Sequence, residues 1–172
     1  YEAPDLDLDP KVYQWCVRIF SQVQNLMSIH MKMHDEEGQI DQGDIFLFNH
    51  FSRIETFIPQ YFIYQKTGAY CRSIAAASFF KSNDSFAQLL CDVGAVPNDH
   101  HRLLPLMAES ILRGRKVVVF PEGGMVKDRR VIDELGNYKV YSRTSRKRRK
   151  HHTGAARLAT GLQIFKQAVL HQ

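Results

Sequence analysis

Residues 117–125, VVVFPEGGM, decide the fold because they join the clearest strand of the chain to a glycine turn. A short run of β-branched residues without a polar position is typical of a strand buried on both faces of a sheet. Gly123 and Gly124 allow positive φ and leave backbone N–H groups unobstructed, so the turn beside Glu122 suits an anion or an oxyanion. An ordinary tight turn fits the same residues.

Three basic residues, Lys127, Arg129 and Arg130, follow this turn closely. Positive charge beside a turn rich in backbone N–H groups favours an anionic ligand such as a phosphate. This feature makes the glycine turn a candidate binding site.

A second predicted strand, the apolar run 45–48, leads into a histidine and a glutamate in residues 49–55, NHFSRIE. His50 is expected just past the carboxyl end of that buried strand, where open α/β sheets place ligands. Glu55, in the first turn of a following helix, is able to accept a hydrogen bond from His50 and fix the imidazole tautomer. Ser52 to Glu55 also match a capping box. The two interpretations are compatible, and both stay open.

The rest of the chain alternates predicted strands with predicted helices. Further strands are expected at 70–77, 95–96 and 116–120, and helices at 53–66, 82–92, 103–113 and 155–170. This alternation predicts an α/β fold with one mixed, largely buried sheet flanked by helices. A length of 172 residues suits a single domain, 1–172.

The N-terminal segment, 1–38, is predicted to be helical, with one long helix from Asp9 to His34. Asp9 is suited to the N-cap and Pro10 to the first helical position. Apolar residues recur at three- and four-residue intervals, namely Val12, Cys16, Ile19, Val23 and Leu26, and Trp15, Phe20 and Met27 widen this face. Such a face packs on a core or lies against lipid, and the small number of Lys and Arg favours the core.

The net charge of +5 is concentrated in one run. Residues 139–150, KVYSRTSRKRRK, carry seven Lys or Arg and no acid, and subtracting these seven charges from the total leaves −2. A general nucleic-acid-binding surface is therefore disfavoured. We expect residues 143–152 to form a solvated basic loop, although such a run also suits a phosphorylated substrate, anionic lipid or nuclear localisation.

Cysteine and histidine usage argues against a metal site or a disulfide framework. The chain has three cysteines, Cys16, Cys71 and Cys91, an odd number without a CxxC pair. This usage favours a reducing compartment. Cys71 and Cys91 are expected to be buried. Neighbouring side chains on regular structure diverge, so the pairs 100–101 and 151–152 are poor ligand sets. No run approaches the ~18 consecutive apolar residues of a membrane-spanning helix.

Four blocks, NHFSRIE, GAVPND, FPEGG and HHTGAARLA, together resemble the glycerolipid acyltransferase family, which includes the lysophosphatidate acyltransferases. The resemblance covers roughly residues 40–165. The first family block, NH with an acid after four residues, is matched by His50 and Glu55, although Asp is the more usual acid. The third block, FPEG, is matched by Phe120 to Gly123, while Gly124 and Met125 replace the usual Thr and Arg. The second block is matched only loosely.

The resemblance implies an O-acyltransferase. It would move a fatty acyl group from acyl-CoA or acyl carrier protein, without a cofactor or metal, to a hydroxyl of a glycerol phosphate or lysophospholipid. His50 would be the general base and Glu55 its partner. The implied substrate-binding residues are Asn49, Ser52, Arg53, Arg102, Phe120, Pro121, Glu122, Gly123, Gly124, Lys127, Arg129 and Arg130. The implied location is the cytoplasmic face of an anionic membrane, with peripheral association and no transmembrane helix in this chain.

Two alternatives follow from the departures from the family pattern. Lipid A acyltransferases often carry Glu at the position of Glu55, so a saccharide-lipid acceptor fits. A non-catalytic module of the same fold that binds anionic lipid also fits, because the third block is altered. Family members usually continue past the GAARLA helix into a further strand, so we expect the chain to be an excerpt that lacks C-terminal strands.

Overall fold

The computed structural model describes residues 6–35, 38–49, 57–81, 84–121, 135, 140–141, 148–149 and 153–170. The chain divides into two compact units. Unit 1 consists of Tyr1–Phe46 and Pro59–Val118, and unit 2 consists of Leu47–Ile58 and Val119–Gln172. The single-domain organisation stays a prediction.

The described helices and strands alternate along the chain. The helices are α1 (Pro10–Leu26), α2 (Gln39–Gln42), α3 (Ile58–Thr67), α4 (Asp84–Asp92), α5 (Leu103–Leu112) and α6 (Gly154–Leu170). The strands are β1 (Ile45–Leu47), β2 (Cys71–Ala75), β3 (Ala95–Pro97), β4 (Lys116–Val119), β5 (Val140–Tyr141) and β6 (Arg148–Arg149). A 3₁₀ turn, Ala77–Phe80, lies between β2 and α4.

The main sheet has four parallel strands in the order β1-β4-β2-β3. Strand β2 lies parallel to both of its neighbours, with Ser73 opposite Ala95 on β3 and Cys71 opposite Lys116 on β4. A parallel pair needs a long crossover connection, and α3, α4 and α5 lie between successive strands. The predicted α/β architecture is confirmed, and these four strands are parallel where a mixed sheet was predicted.

Burial differs between the centre and the edge of this sheet. Val117 and Val118 of β4 are fully buried, as the VVVF run predicts. Strand β1 was also predicted to be buried, which is wrong, because Leu47 is 59% exposed and β1 is one of the two edge strands among the four described ones. An apolar run alone does not distinguish an edge strand from a central one.

The basic run is not entirely a loop. Strand β6 lies within the predicted loop 143–152 and pairs antiparallel with β5, with Val140 opposite Arg149 and Tyr141 opposite Arg148. The loop prediction is therefore wrong at these two arginines. The other residues of the run lie outside the described residues.

Helix α1 begins as predicted but ends earlier. The Asp9 carboxylate accepts hydrogen bonds from the N–H groups of Lys11 (2.7 Å) and Val12 (3.4 Å), which confirms the N-cap. At the other end Ser28 has φ of +52°, and its N–H donates to the carbonyl of Asn25. The N–H of Ile29 donates to the carbonyl of Gln24, completing a Schellman motif. The predicted extension of the helix to His34 is therefore wrong.

One side of α1 packs into the core of unit 1. Tyr13 is buried and its ring contacts those of Tyr64 and Tyr70 at centroid distances of 5.4 and 5.3 Å. Its hydroxyl accepts the N–H of Cys71 and donates to the carbonyl of Gln60. Burial raises the pKa of the Tyr13 hydroxyl, so it stays neutral. These contacts attach α1 to α3 and to the start of β2.

A second cluster lies around α4, which packs against β3 and against the 3₁₀ turn. Its buried members are Phe80, Ala87, Leu90, Cys91 and Ala95. Cys71 and Cys91 are both fully buried, as predicted. Burial also raises the pKa of the Cys71 thiol to about 12, so this thiol is protonated near neutral pH. Neither thiol is suited to be a nucleophile.

Gly94 allows β3 to approach β2 closely. It has φ of +91°, and a Cβ at this position would overlap the carbonyl oxygen of Cys71. The Gly94 carbonyl accepts a hydrogen bond from the N–H of Ser73 at 3.0 Å. Position 94 therefore needs glycine for both conformation and space.

We predict that Gly94→Ala lowers the free energy of unfolding by about 3 kcal/mol or more. The strain of an alanine in a left-handed backbone conformation and the overlap of its Cβ with the backbone of Cys71 add together. The matched control is Gly114→Ala. Gly114 also has positive φ (+75°), but a Cβ there meets nothing within 4 Å, so a loss of about 1 kcal/mol is expected. Urea unfolding of both variants measures the difference, and equal losses would contradict the account.

Candidate active site

The ends of β1 and β4 lie side by side. In unit 2, the N–H of Phe48 donates to the carbonyl of Val119 at 3.1 Å. Beside this bond, the rings of Phe48 and Phe120 contact each other at a centroid distance of 6.5 Å and an interplanar angle of 44°. The backbone bond and the ring contact together hold the two chain segments next to each other as they leave the sheet.

Backbone pairing between β1 and β4 is also present at the start of β1. In unit 1, the N–H of Val117 donates to the carbonyl of Asp44 at 2.9 Å. The bonds advance in the same direction along both strands, which is the parallel pattern. The apolar runs IFLF and VVVF therefore end together, and a sequence block with ionisable residues follows each run.

Three of the predicted site residues lie at these strand ends. Asn49 lies two residues after the end of β1 and is exposed. Phe120 and Pro121 follow β4 and are half-buried. Asn49 precedes His50 in the sequence, and Pro121 precedes Glu122. The structure thus brings Phe48, which precedes the first block, next to Phe120, which begins the third block.

The other predicted residues of these two blocks lie outside the described residues. They are His50, Ser52, Arg53, Glu55, Glu122, Gly123, Gly124, Lys127, Arg129 and Arg130. The capping box of Ser52 to Glu55 lies there too, so both interpretations of Glu55 stay predictions. The helix predicted over 53–66 is described from Ile58 to Thr67, with Pro59 as its second described residue.

Arg102 belongs to unit 1, where it is the exposed N-cap residue of α5. Its N–H donates to Nδ1 of His100 at 3.2 Å, which places the proton of a neutral His100 on Nε2. Burial, together with His101 and Arg102 nearby, lowers the pKa of His100. A lowered pKa favours the neutral ring that accepts this bond.

The His100 and His101 rings contact each other. Their centroids are 4.6 Å apart with planes at 37°, so the expectation that the two side chains diverge is wrong. The reason is that the pair lies before α5 and not on regular structure. Within the parts of the chain that the structure describes, no group of three or more His, Cys, Asp or Glu is arranged to hold a metal ion.

Asn98 links the loops that follow β2 and β3. Its side-chain oxygen accepts the N–H of Ala77 at 3.1 Å, and its own N–H donates to the carbonyl of Ala75 at 2.9 Å. Asn98 lies within the second block, GAVPND, and its sequence position alone predicted no role for it. An asparagine directly after a short strand was the available signal, because its side chain readily bonds nearby backbone.

The described part of the chain therefore defines a parallel α/β protein with its candidate site at paired strand ends. The sequence matches a family model described as Acyltransferase over residues 29–169, so the chain belongs to the acyltransferase family. This finding confirms the resemblance to the glycerolipid acyltransferases. No curated protein and no solved structure matches the chain. Among the described helices, none combines the length and hydropathy needed to cross a membrane.

We predict that Asn98→Ala lowers the free energy of unfolding by about 1 kcal/mol, because the N–H of Ala77 loses its acceptor. Asn98→Asp is the matched control, since it keeps an oxygen at the same position and should retain most of the stability. Chemical denaturation of both variants tests this. Loss of equal size in the two variants would show that the accepting oxygen has no part in stabilising these loops.

Proposed function

We propose that the protein is an O-acyltransferase that moves a fatty acyl group from a thioester to a hydroxyl of a glycerol phosphate or lysophospholipid. The observation that carries the proposal is the pairing of β1 with β4. It places the strand ends that precede the NHFSRIE and FPEGG blocks side by side in a chain of the acyltransferase family. Two blocks about 70 residues apart in sequence then contribute to one site.

The proposed reaction uses His50 as a general base. The imidazole takes the proton of the acceptor hydroxyl while that oxygen forms a bond to the thioester carbonyl carbon. The carbon–sulfur bond then breaks, the thiolate leaves with the bonding electrons, and the proton on His50 is available to it. Glu55 orients the ring and stabilises its positive charge. The ester and the free thiol are the products.

The remaining site residues bind the substrates in this proposal. Arg102, Lys127, Arg129 and Arg130 are the candidates for the acceptor phosphate, because guanidinium and ammonium groups bind phosphate oxygens with charge-assisted hydrogen bonds. Asn49, Ser52, Arg53, Phe120, Pro121, Glu122, Gly123 and Gly124 form the rest of the proposed site. The donor is acyl-CoA or acyl carrier protein, and the reaction takes place peripherally at the cytoplasmic face of an anionic membrane.

We predict that His50→Ala lowers the rate of acyl transfer by about 10² to 10⁴, the contribution typical of a positioned general base. The assay supplies acyl-CoA and lysophosphatidate and measures the phosphatidate formed together with the free thiol. The matched control is His171→Ala, which changes a histidine that neither block contains and should transfer at the wild-type rate.

Transfer by His50→Ala at the wild-type rate would remove His50 from the mechanism. If the wild-type chain transfers no acyl group from either donor but still binds anionic lipid, a non-catalytic lipid-binding module is the correct interpretation. Transfer to a saccharide lipid and not to lysophosphatidate would identify the lipid A type of acceptor.

A further inference from the structure

A fully buried arginine lies on an interior strand of the main sheet. Arg72, on β2, is 1% exposed, and its side chain takes no part in the proposed reaction. A guanidinium group stays positively charged in proteins, and a buried charge is costly unless it is paired and hydrogen-bonded. The partners of Arg72 therefore decide what this position does.

Residues 6–9, which we call the N-terminal strap, contact the Arg72 side chain. The Nη1 group of Arg72 donates a hydrogen bond to the carbonyl of Leu6. Leu8, two residues further on, is buried. The strap is thus held in place on either side of Asp7, which is the acid that pairs with Arg72.

A second edge of the Arg72 guanidinium is only partly paired. Nε and Nη2 lie on this edge, and their parallel N–H bonds form a fork that matches two oxygens of one carboxylate or phosphate. Among the described residues, Nε is a buried nitrogen without a hydrogen-bond partner. The Asp7 carboxylate approaches Nη2 only to 3.8 Å, which is too long for a hydrogen bond. The fork is therefore near a negative charge without being hydrogen-bonded to it.

The charges around Arg72 favour an additional anion. Burial lowers the pKa of Arg72, and the positive charge of Arg115 lowers it further. Two acids, Asp7 and Glu109, act in the opposite direction. The Asp7 side chain is 77% exposed, so water screens its charge, and Glu109 is bound to Arg113 at 2.6 Å. The two acids therefore balance the two neighbouring guanidinium groups poorly.

We infer that Arg72 is the centre of an oxyanion-binding site, in which Nε and Nη2 bind two oxygens of a phosphate group and Arg115 supplies a second positive charge. A phosphate is favoured over a carboxylate because it brings more negative charge to two guanidinium groups. The exposed carboxylate of Asp7 turns towards solvent when the phosphate takes the fork. The inference goes beyond acyl transfer and does not depend on it, because it uses no residue of the candidate active site.

A purely structural clamp is the competing role for Arg72. The clamp would hold the strap through the carbonyl of Leu6 and the charge of Asp7. This role accounts for Nη1, but it leaves a buried Nε–H without an acceptor, which costs about 1–3 kcal/mol. A bound oxyanion supplies that acceptor and the missing negative charge together.

The Nε–H of Arg72 gives a direct readout in ¹H–¹⁵N NMR spectra of the whole chain. Phosphate, acetate and chloride are added in separate titrations at equal ionic strength. We expect a saturable shift of the Arg72 signal with phosphate, a weaker response with acetate and none with chloride. Arg72→Lys identifies the signal, because lysine keeps the charge and lacks the fork. Arg102→Ala should leave the response unchanged, which separates this site from the proposed site for the acceptor phosphate.

Variants of the surrounding charges test the composition of the site. We expect Arg115→Gln to weaken phosphate binding about two- to fivefold and Asp7→Asn, which removes the competing carboxylate, to strengthen it by a similar factor. Lys11→Gln is the matched control, since it removes an exposed positive charge from α1 and should leave the affinity unchanged. Circular dichroism checks that the variants are folded.

Three results would overturn the inference. The first is the absence of a saturable shift of the Arg72 signal with phosphate, which would leave the structural clamp as its role. The second is an equal shift with chloride, which would be an effect of salt. The third is an affinity that Lys11→Gln lowers as much as Arg115→Gln does, or that Asp7→Asn does not raise, since either result would assign binding to overall charge.

Discussion

The parallel pairing of β1 with β4 is the constraint on which the candidate site depends. One backbone bond, from Val117 to Asp44, sets the register at the start of β1, and another, from Phe48 to Val119, continues it to the strand end. The side-chain period of a strand is two, so a slip of one residue would turn the alternate side chains of β1 to the other side of the sheet. The register therefore fixes Phe48 next to Val119 and Phe120 where the two strands end.

The position of β1 at the sheet edge has a consequence for the site. Within the sheet of described strands β1 pairs with β4 alone, whereas β4 lies between β1 and β2. The contact between Phe48 and Phe120 adds an aromatic interaction where the ladder ends. It gives the end of β1 a support that backbone pairing alone does not supply.

Helix α1 shows how one element divides its apolar side chains between the core and solvent. Its sequence carries apolar residues around more than half of its circumference, and this pattern predicted a helix that packs on the core. The structure divides this arc: Tyr13 and its neighbours face α3 and β2, while Trp15, Ile19, Val23 and Leu26 are exposed. A helical repeat shows how wide an apolar face is, but it does not show how much of that face the rest of the domain covers.

The contrast between two helix ends shows what local sequence predicts. Both α1 and α5 end in a Schellman motif with a residue of positive φ. At α5 that residue is Gly114, which directly follows the helix predicted over 103–113 and adopts this conformation without strain. At α1 it is Ser28, a residue that rarely does so, and the apolar periodicity beyond it predicted a longer helix. The backbone hydrogen bonds donated by Ser28 and Ile29 end α1, and the apolar periodicity does not report the left-handed conformation of Ser28.

The same distinction applies to the site. The apolar run VVVF followed by a glycine turn predicted the position of β4 and the sequence block that comes after it. A buried strand has a strong local signature, which made this prediction possible. The edge position of β1, the contact between the two histidine rings and the role of Asn98 all depend on which segments become neighbours. A single sequence gives that information only through a family resemblance, which the match over residues 29–169 supports.

The most direct test of the proposed mechanism is a double-mutant cycle of His50→Ala and Glu55→Gln, measured as the rate of acyl transfer to lysophosphatidate. If Glu55 acts by orienting and stabilising the imidazole, removing it should cost nothing once the imidazole is absent, since residues that act as a unit are not additive. The account predicts that the double variant is as slow as His50→Ala alone. Losses that multiply in the double variant would contradict it.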